Sequence, residues 1–412
     1  MEEWKIYKLG EITSKIGSGA TPKGGKDSYL GGNIALIRSQ NVLDFSFSKS
    51  GLAYINEMQA EKLNNVEVYE KDVLLNITGD SVARVCIVPN NVLPARVNQH
   101  VAIIRGNEKV DYRYLLYYLQ YIKPQLLSLS QGGATRNALT KKMIEELEIK
   151  MPSKGTQKEI VSILYTLDTK IALNRRINDN LEQQAQALFK SWFVDFEPFK
   201  DGKFVDSEMG MIPEGWKVGK LEDIADVVGG GTPSKANALY FDKQCIPWIT
   251  PKDLSIKKTK FISKGEIDIT EEGYKNSSAK KIPLGSVLFS SRAPIGYISI
   301  AENELTTNQG FKSVVPVKAG TSFLYLYLKA NTKAIEAQAT GSTFKEASGS
   351  LMKSLCVIIP PDTVFDSFER NAFPFFSAQA NVEREIVNLS KARDTLLPRL
   401  MSGELKINDL NC

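Results

Sequence analysis

Trp4-Lys5-Ile6-Tyr7-Lys8-Leu9 and Trp216-Lys217-Val218-Gly219-Lys220-Leu221 are one phrase written twice. Glu11-Ile12 and Gly17-Ser18-Gly19-Ala20-Thr21-Pro22 follow the first copy; Asp223-Ile224 and Gly229-Gly230-Gly231-Thr232-Pro233 follow the second. The offset is 212 residues (216 minus 4), and the match recurs along the chain. Gly133-x-Thr135 answers Gly341-x-Thr343, and Met151-Pro152 answers Ile359-Pro360 at an offset of 208 (360 minus 152). The drift marks small insertions and deletions between two copies of one unit. Such a chain can fold around a pseudo-two-fold axis inside one polypeptide, and can then read two half-sites or recruit two copies of one partner.

At 412 residues each copy is long enough for a core of its own. The 42% hydrophobic and 24% charged content is that of an ordinary globular protein. A net charge of +5 permits a nucleic-acid partner without requiring one. No run of about 18 apolar residues suggests a membrane span, and the start lacks the basic and apolar regions of a secretory signal. Cys86, Cys245, Cys356 and Cys412 are scattered, with no Cys-x-x-Cys pair, which argues against a disulfide framework or zinc site and fits a reducing cytoplasm. The single histidine, His100, cannot build a His-rich metal site alone; its setting reads as the entry to a buried strand.

Residues 1–150 alternate short apolar runs with Gly, Pro and Asn. Ile34–Ile37, Val73–Leu75, Val85–Val88 and Val101–Ile104 read as strands, and Asp111–Leu129 as a helix. The second copy, 214–359, repeats the pattern with Ile246–Ile249, Val287–Phe289, Tyr297–Ile300, Val314-Val315 and a helix near Ser322–Ala337. The fold class expected is α+β.

Between the copies, 151–197 reads as one long helix. Thr156-Gln157-Lys158-Glu159 has the form of a capping box. Apolar residues then recur at steps of four and three: Ile160, Leu164, Leu167, Ile171, Asn174, Asn178, Leu181, Ala185, Leu188, Trp192, with two polar members at the middle. Adding 208 gives the matching seam of 360–412: Phe368, Ala372, Phe375, Gln379, Val382, Ile386, Leu389, Arg393, Leu396, Leu400. Two such stripes should pack on each other, antiparallel under the pseudo-two-fold. A helix over 156–193 would be roughly 55 Å long, a ruler between two domains. Pro374 should kink or restart the second helix. The segment 198–213 is polar, with Gly202 and Gly210, and reads as an extended linker.

Catalytic signatures are missing. Ala20 to Asp27 resembles a phosphate loop only superficially: it lacks the leading Gly and a Ser/Thr after the Lys. No G-x-G-x-x-G follows a strand, and no Asn/Asp-Pro-Pro-aromatic tetrapeptide of amino-methyltransferases occurs. Glu148-Ile149-Lys150 and Glu404-Leu405-Lys406 have the Glu-x-Lys form of some nucleases without a well-placed acidic partner. Polar clusters do recur at matching places. They hold Arg38, Gln40, Asn41, Asn76, Arg84, Asn98, Gln99, Arg136 and Asn137 in the first copy, and Thr250, Lys252, Ser291, Arg292, Asn308, Gln309, Thr343 and Lys345 in the second. Arg suits guanine and Asn/Gln suit adenine in the major groove, while Lys, Ser and Thr suit phosphates. The paired residues differ in kind, as expected if each copy reads different bases.

Leu181-Glu182-x-x-Ala185-x-Ala187-Leu188-Phe189-Lys190-Ser191-Trp192-Phe193-Val194-Asp195-Phe196, then Ser207 through Trp216, and Leu396-Leu397-Pro398-Arg399-Leu400-Met401-Ser402-Gly403-Glu404-Leu405 carry a resemblance. With the repeat, they make the whole chain similar to the specificity subunits of type I restriction-modification systems. That resemblance implies two pseudo-symmetric globular target-recognition domains separated by two long antiparallel coiled-coil helices. Each domain would read half of a bipartite, asymmetric double-stranded DNA site, and the helices would fix the spacer. The seam residues would also dock two modification subunits that bind S-adenosylmethionine and methylate adenine. Two motor-nuclease subunits using ATP and Mg would complete the complex. The chain itself would bind no cofactor or metal and catalyse nothing. A methyltransferase or nuclease in its own right, and a protein-binding scaffold, stay open as alternatives.

Overall fold

The structure is a computed structural model that describes residues 4–23, 29, 31–131, 137–292, 294–341 and 345–406. It divides into two compact units, Met1–Ala172 with Asn388–Cys412, and Leu173–Val387. Each unit holds one globular domain and part of each of two long helices, Lys154–Phe193 and Asp362–Ser402.

The repeated Trp-Lys-x-x-Lys phrase is a strand that closes its own domain. Lys5–Lys8 pairs antiparallel with Glu148–Met151, and Lys217–Lys220 pairs antiparallel with Cys356–Ile359. Each domain therefore begins and ends at one place, and a long helix leaves directly from it.

In the first unit one sheet runs Thr13–Ser18, Val101–Gly106, Val73–Asn76, Val85–Ile87 in spatial order. The second unit repeats that order with Ala225–Gly229, Lys312–Pro316, Val287–Phe289, Ile298–Ala301, and adds Phe261–Ile262 at the edge. Successive side chains of a strand point to opposite faces. Val73 and Leu75 accordingly join the core beneath the helices, whereas Leu74 joins the core shared with the second sheet. Val287, Phe289 and Leu288 divide in the same way. Both faces are covered, which is why these strands read as unbroken apolar runs.

The two stripes on the long helices meet. In the second unit the pairs Asn174–Glu385, Asn178–Glu383, Phe189–Phe368 and Phe193–Phe365 descend on one helix as they rise on the other, so the helices are antiparallel. In the first unit Ile160 and Leu164 share a core with Leu397 and Leu400. The polar exceptions are partnered. Arg393 donates to Asp168 at 2.9 Å, Tyr117 Oη donates to the same carboxylate at 2.7 Å, and the guanidinium lies 3.8 Å from the Phe45 ring. Gln379 meets Glu182 at 3.2 Å.

Several expectations need correction. The first long helix begins at Lys154, before the Thr156–Glu159 box: Ser153 caps it, its Oγ accepting from the Thr156 N–H at 3.5 Å. Pro374 does not restart the second helix, which runs unbroken to Ser402. Pro374 is exposed, so the Arg370 carbonyl that loses its partner faces solvent, while buried Phe368, Ala372 and Phe376 hold the turns on either side. The expected helix over Asp111–Leu129 is two, Tyr112–Tyr121 and Lys123–Gln131, with Pro124 in the first turn of the second. In place of an extended linker stands a small hairpin, Phe204–Val205 against Ile212–Pro213. It forms because Phe196, Phe199 and Phe204 have apolar surface to bury, and Phe196 and Phe199 pack their rings on Trp216 at 5.6 and 4.9 Å.

Glu182 gives a test of this packing. Burial pushes its carboxyl up, but Lys260 and Lys329 outweigh that and hold it down at about 2. A depressed carboxyl contributes stability above its unfolded pKa of 4.5 and loses it as pH falls toward 2. Glu182→Gln should therefore flatten the loss of melting temperature between pH 4.5 and pH 2; an unchanged acid slope would contradict the ion pairing.

Candidate nucleic-acid interface

Strand register gathers the polar loops of each unit at one sheet edge. In the first unit Val97 lies opposite Ile37, Val101 opposite Asn76, and Ala102 opposite Ser18. The chain leaves the sheets there at Arg38, Ile77, Asn98 and Gly19. In the second unit Thr307 lies opposite Ile249, Lys312 opposite Gly229, and Phe311 bridges Ser290.

The backbone frames of the two edges share a set of bonds. The Asn98 N–H donates to the Ile37 carbonyl at 3.0 Å, and the Asn308 N–H to that of Ile249 at 3.0 Å. Asn98 Oδ1 accepts from the His100 N–H at 3.0 Å; Asn308 Oδ1 accepts from the Gly310 N–H at 2.9 Å. Thr21 Oγ1 donates to Gln99 Oε1 at 2.6 Å, and Thr232 Oγ1 donates to Gln309 Oε1. The Gly-rich loops need glycine for close approach: a Cβ on Gly19 would lie 1.9 Å from the Val97 carbonyl oxygen, and one on Gly230 2.0 Å from that of Asn308. Asn41 Oδ1 caps the Arg38 N–H at 3.0 Å, and Asp253 Oδ2 caps the Thr250 N–H at 2.8 Å. On this shared frame Arg38 stands where Thr250 does, and Gln40 where Lys252 does.

Burial sorts the candidates. Asn41, Asn76, Asn98 and Ser291 are at most 3% exposed, so none presents its side chain to a base, contrary to expectation. They fasten loops instead: Asn76 Nδ2 donates to the Ser39 carbonyl at 2.9 Å, Asn41 Nδ2 to that of Ser48 at 2.9 Å, and Ser291 Oγ to that of Gly310 at 3.1 Å. Residue type suggests a base contact where the fold makes a buried amide whose N–H donates to a backbone carbonyl. Gln40, Gln99, Asn137, Lys252, Gln309 and Lys345 are exposed, and Arg38, Arg84, Thr250, Arg292 and Asn308 are half-buried. Asn137 joins the first edge through its carbonyl, which accepts from the Gly79 N–H at 3.1 Å. Arg136 and Thr343 lie outside the described residues. His100 is half-buried, with Nδ1 2.5 Å from Thr78 Oγ1.

In the second unit Thr250, Lys252, Arg292, Asn308 and Gln309 line one cleft of about 470 Å³. Trp248 lies under it, its indole N–H donating to the Gly231 carbonyl at 2.9 Å. Lys235 and Glu266 also line it. Sequence reasoning misses both, though Lys235 follows the Gly-rich loop by only four residues and is open to detection there. Lys252 pairs with Glu266 at 2.7 Å, and Arg292 stands 3.8 Å from Glu346. Such a cleft offers cations to phosphate or guanine and carboxylate acceptors to the cytosine amino group.

Five of the seam candidates leave little side-chain surface for a partner. Ile160, Leu164, Ile171, Phe368 and Leu400 are at most 2% exposed, filled by the chain's own packing. Leu167, Leu181, Leu188, Trp192, Phe375, Val382, Ile386, Leu389 and Leu396 are half-buried along the same seam. Among the described residues no group of His, Cys, Asp or Glu is placed to hold a metal ion, and no helix is long and apolar enough to cross a membrane.

Residues 1–183 and 213–364 match the family described as the type I restriction modification DNA specificity domain. The chain is 28% identical to the type I restriction enzyme MjaIX specificity subunit of Methanocaldococcus jannaschii, over 99% of this chain and 95% of the relative. It is 26% identical to the HindI specificity subunit of Haemophilus influenzae, over 98% of this chain and all of the relative. Among solved structures it is similar to the S subunit of a type I restriction-modification system from M. genitalium, with a TM-score of 0.59 and 13% identity, over 97% of this chain and 96% of that one. At that identity the likeness concerns the fold.

Proposed function

Because the chain belongs to the family of type I restriction-modification DNA specificity domains, we propose that it is the address-reading subunit of such a complex, each globular domain reading one half of a bipartite double-stranded DNA site. The observation that carries this reading is the pair of matched edges. A reader of two identical half-sites would repeat its side chains as well as its backbone frame. Here the Asn98 and Asn308 bonds of the frame are repeated, while Arg38 is answered by Thr250 and Gln40 by Lys252. That is the arrangement suited to two different words.

The unbroken helices support a ruler role, setting the unspecified spacer between the words. Docking of two modification subunits, carrying S-adenosylmethionine and methylating adenine, falls to the outward faces of those helices, since the seam is occupied. Leu173 and Ile177, one turn apart, are 47% and 39% exposed there. Two restriction subunits using ATP and Mg would bind the same assembly. On this reading the chain directs the chemistry and holds no cofactor of its own.

Binding of the assembled complex to DNA carrying its site should weaken steeply with salt, by about 10³-fold or more between 50 and 200 mM, if six or more phosphates are neutralised. Affinity for that DNA that is absent, or indifferent to salt, would overturn the reading.

A further inference from the structure

Lys260 is a charge placed where charge is costly, its side chain only 5% exposed. Three elements of the second unit converge on it. Glu182, on the first long helix, accepts from Nζ at 2.9 Å. Gln379, on the second, accepts from it at 2.7 Å. The Phe376 ring centroid lies 3.3 Å from Nζ, and that of Tyr325, from the globular domain, 4.3 Å. The backbone joins in: the N–H groups of Lys260 and Phe261 both donate to the Glu383 carboxylate, at 2.9 and 3.2 Å. The Lys260 carbonyl accepts from Ile300 at 2.7 Å and from Ser299 Oγ at 3.0 Å, which fastens the residue to the sheet. Lys329 donates to the other Glu182 oxygen at 2.6 Å.

Stability alone does not explain this cluster. A buried ion pair is often no better than well-packed apolar residues of the same volume, because its desolvation cost offsets its attraction. What it supplies is direction. Hydrogen bonds weaken steeply when stretched or bent. Here the bonds link the domain to both helices at once, so no single shift satisfies all of them but the observed one.

We propose that Lys260 is a positioning residue that locks the second globular domain at one orientation on the two long helices, and so makes the complex reject DNA whose half-sites are one base pair nearer or farther. The proposal rests on the DNA-reading function above. One base pair moves a half-site by about 3.4 Å and turns it by about 35°.

The test uses the full chain assembled with its modification subunits, acting on a plasmid library that carries both half-sites at every spacer length. Adenine methylation is read by single-molecule sequencing. The wild type should methylate one spacer length. Lys260→Met/Glu182→Gln keeps the packing volume between Phe376 and Tyr325 and leaves no unpaired carboxylate at position 182. It should raise methylation of spacers one base pair off by about tenfold or more relative to the native spacer, with both half-site words unchanged. Unchanged spacer discrimination in a folded variant would overturn the proposal, as would a changed half-site word, which would place Lys260 on the reading surface. Should the double variant fail to fold, Lys260→Met and Glu182→Gln singly carry the same expectation. A wild-type complex that methylates no bipartite site would overturn the function itself, and the clamp with it.

Discussion

Alanine at both Arg292 and Gln309 should erase discrimination within one half-site while the other half-site stays intact. The two residues line the cleft of the second unit together with Lys252 and Asn308. Neither is buried, so neither substitution opens a cavity. A side chain bonded to a base edge supplies about 1–3 kcal/mol of discrimination, or roughly 5- to 150-fold against the wrong base. The methylated motif of the variant complex should therefore degenerate at some positions of one word only. Gln99→Ala, at the matching place in the first unit, should degenerate the other word. Loss of both words in either variant would point to damaged folding and remove these residues from the reading surface.

Phe193→Ala should cost the second unit about 3–5 kcal/mol. The ring is 6% exposed and stands at the meeting point of both long helices and the globular domain. Its centroid lies 4.8 Å from that of Phe323, 4.9 Å from Phe368 and 5.9 Å from Trp216. Removing it leaves a void among rigid rings that cannot collapse to fill it. Three of the four tryptophans, Trp192, Trp216 and Trp248, belong to this unit, so tryptophan fluorescence during urea unfolding reports mainly on it. Phe373→Ala is the control: that ring is 61% exposed on the same helix system, and its loss should shift the midpoint little. Equal shifts for the two variants would contradict the packing described.

The repeat and the seam are readable in the sequence because each is a period, and a period survives substitution. Spacing alone places Ile160, Leu164, Phe368 and Leu400 correctly. The Trp-Lys-x-x-Lys strand is visible as a phrase, but its partner, Glu148–Met151, is not, since strand pairing over that separation leaves no local mark. The polar edge is half legible. Gln99 and Gln309 are exposed as residue type suggests, whereas Asn41 and Asn76 have the same chemistry and are buried. Nothing in a single sequence separates an amide that will read a base from one that will fasten a loop; the difference is which backbone carbonyls fold against it. Lys260 escapes notice for the same reason. A lysine beside Phe261 looks like any solvated lysine until Glu182, Gln379 and Glu383 arrive from segments far along the chain. The hairpin after Phe196 is hidden by its polar letters, although its aromatics decide its shape.

Whether one chain carries two different DNA words is decided by single-molecule sequencing of N6-methyladenine across the host genome, with and without this gene. One methylated motif, bipartite and asymmetric, should be present with the gene and vanish on its deletion. An unchanged methylome, or a vanished motif that is palindromic or continuous, would contradict the two-word reading.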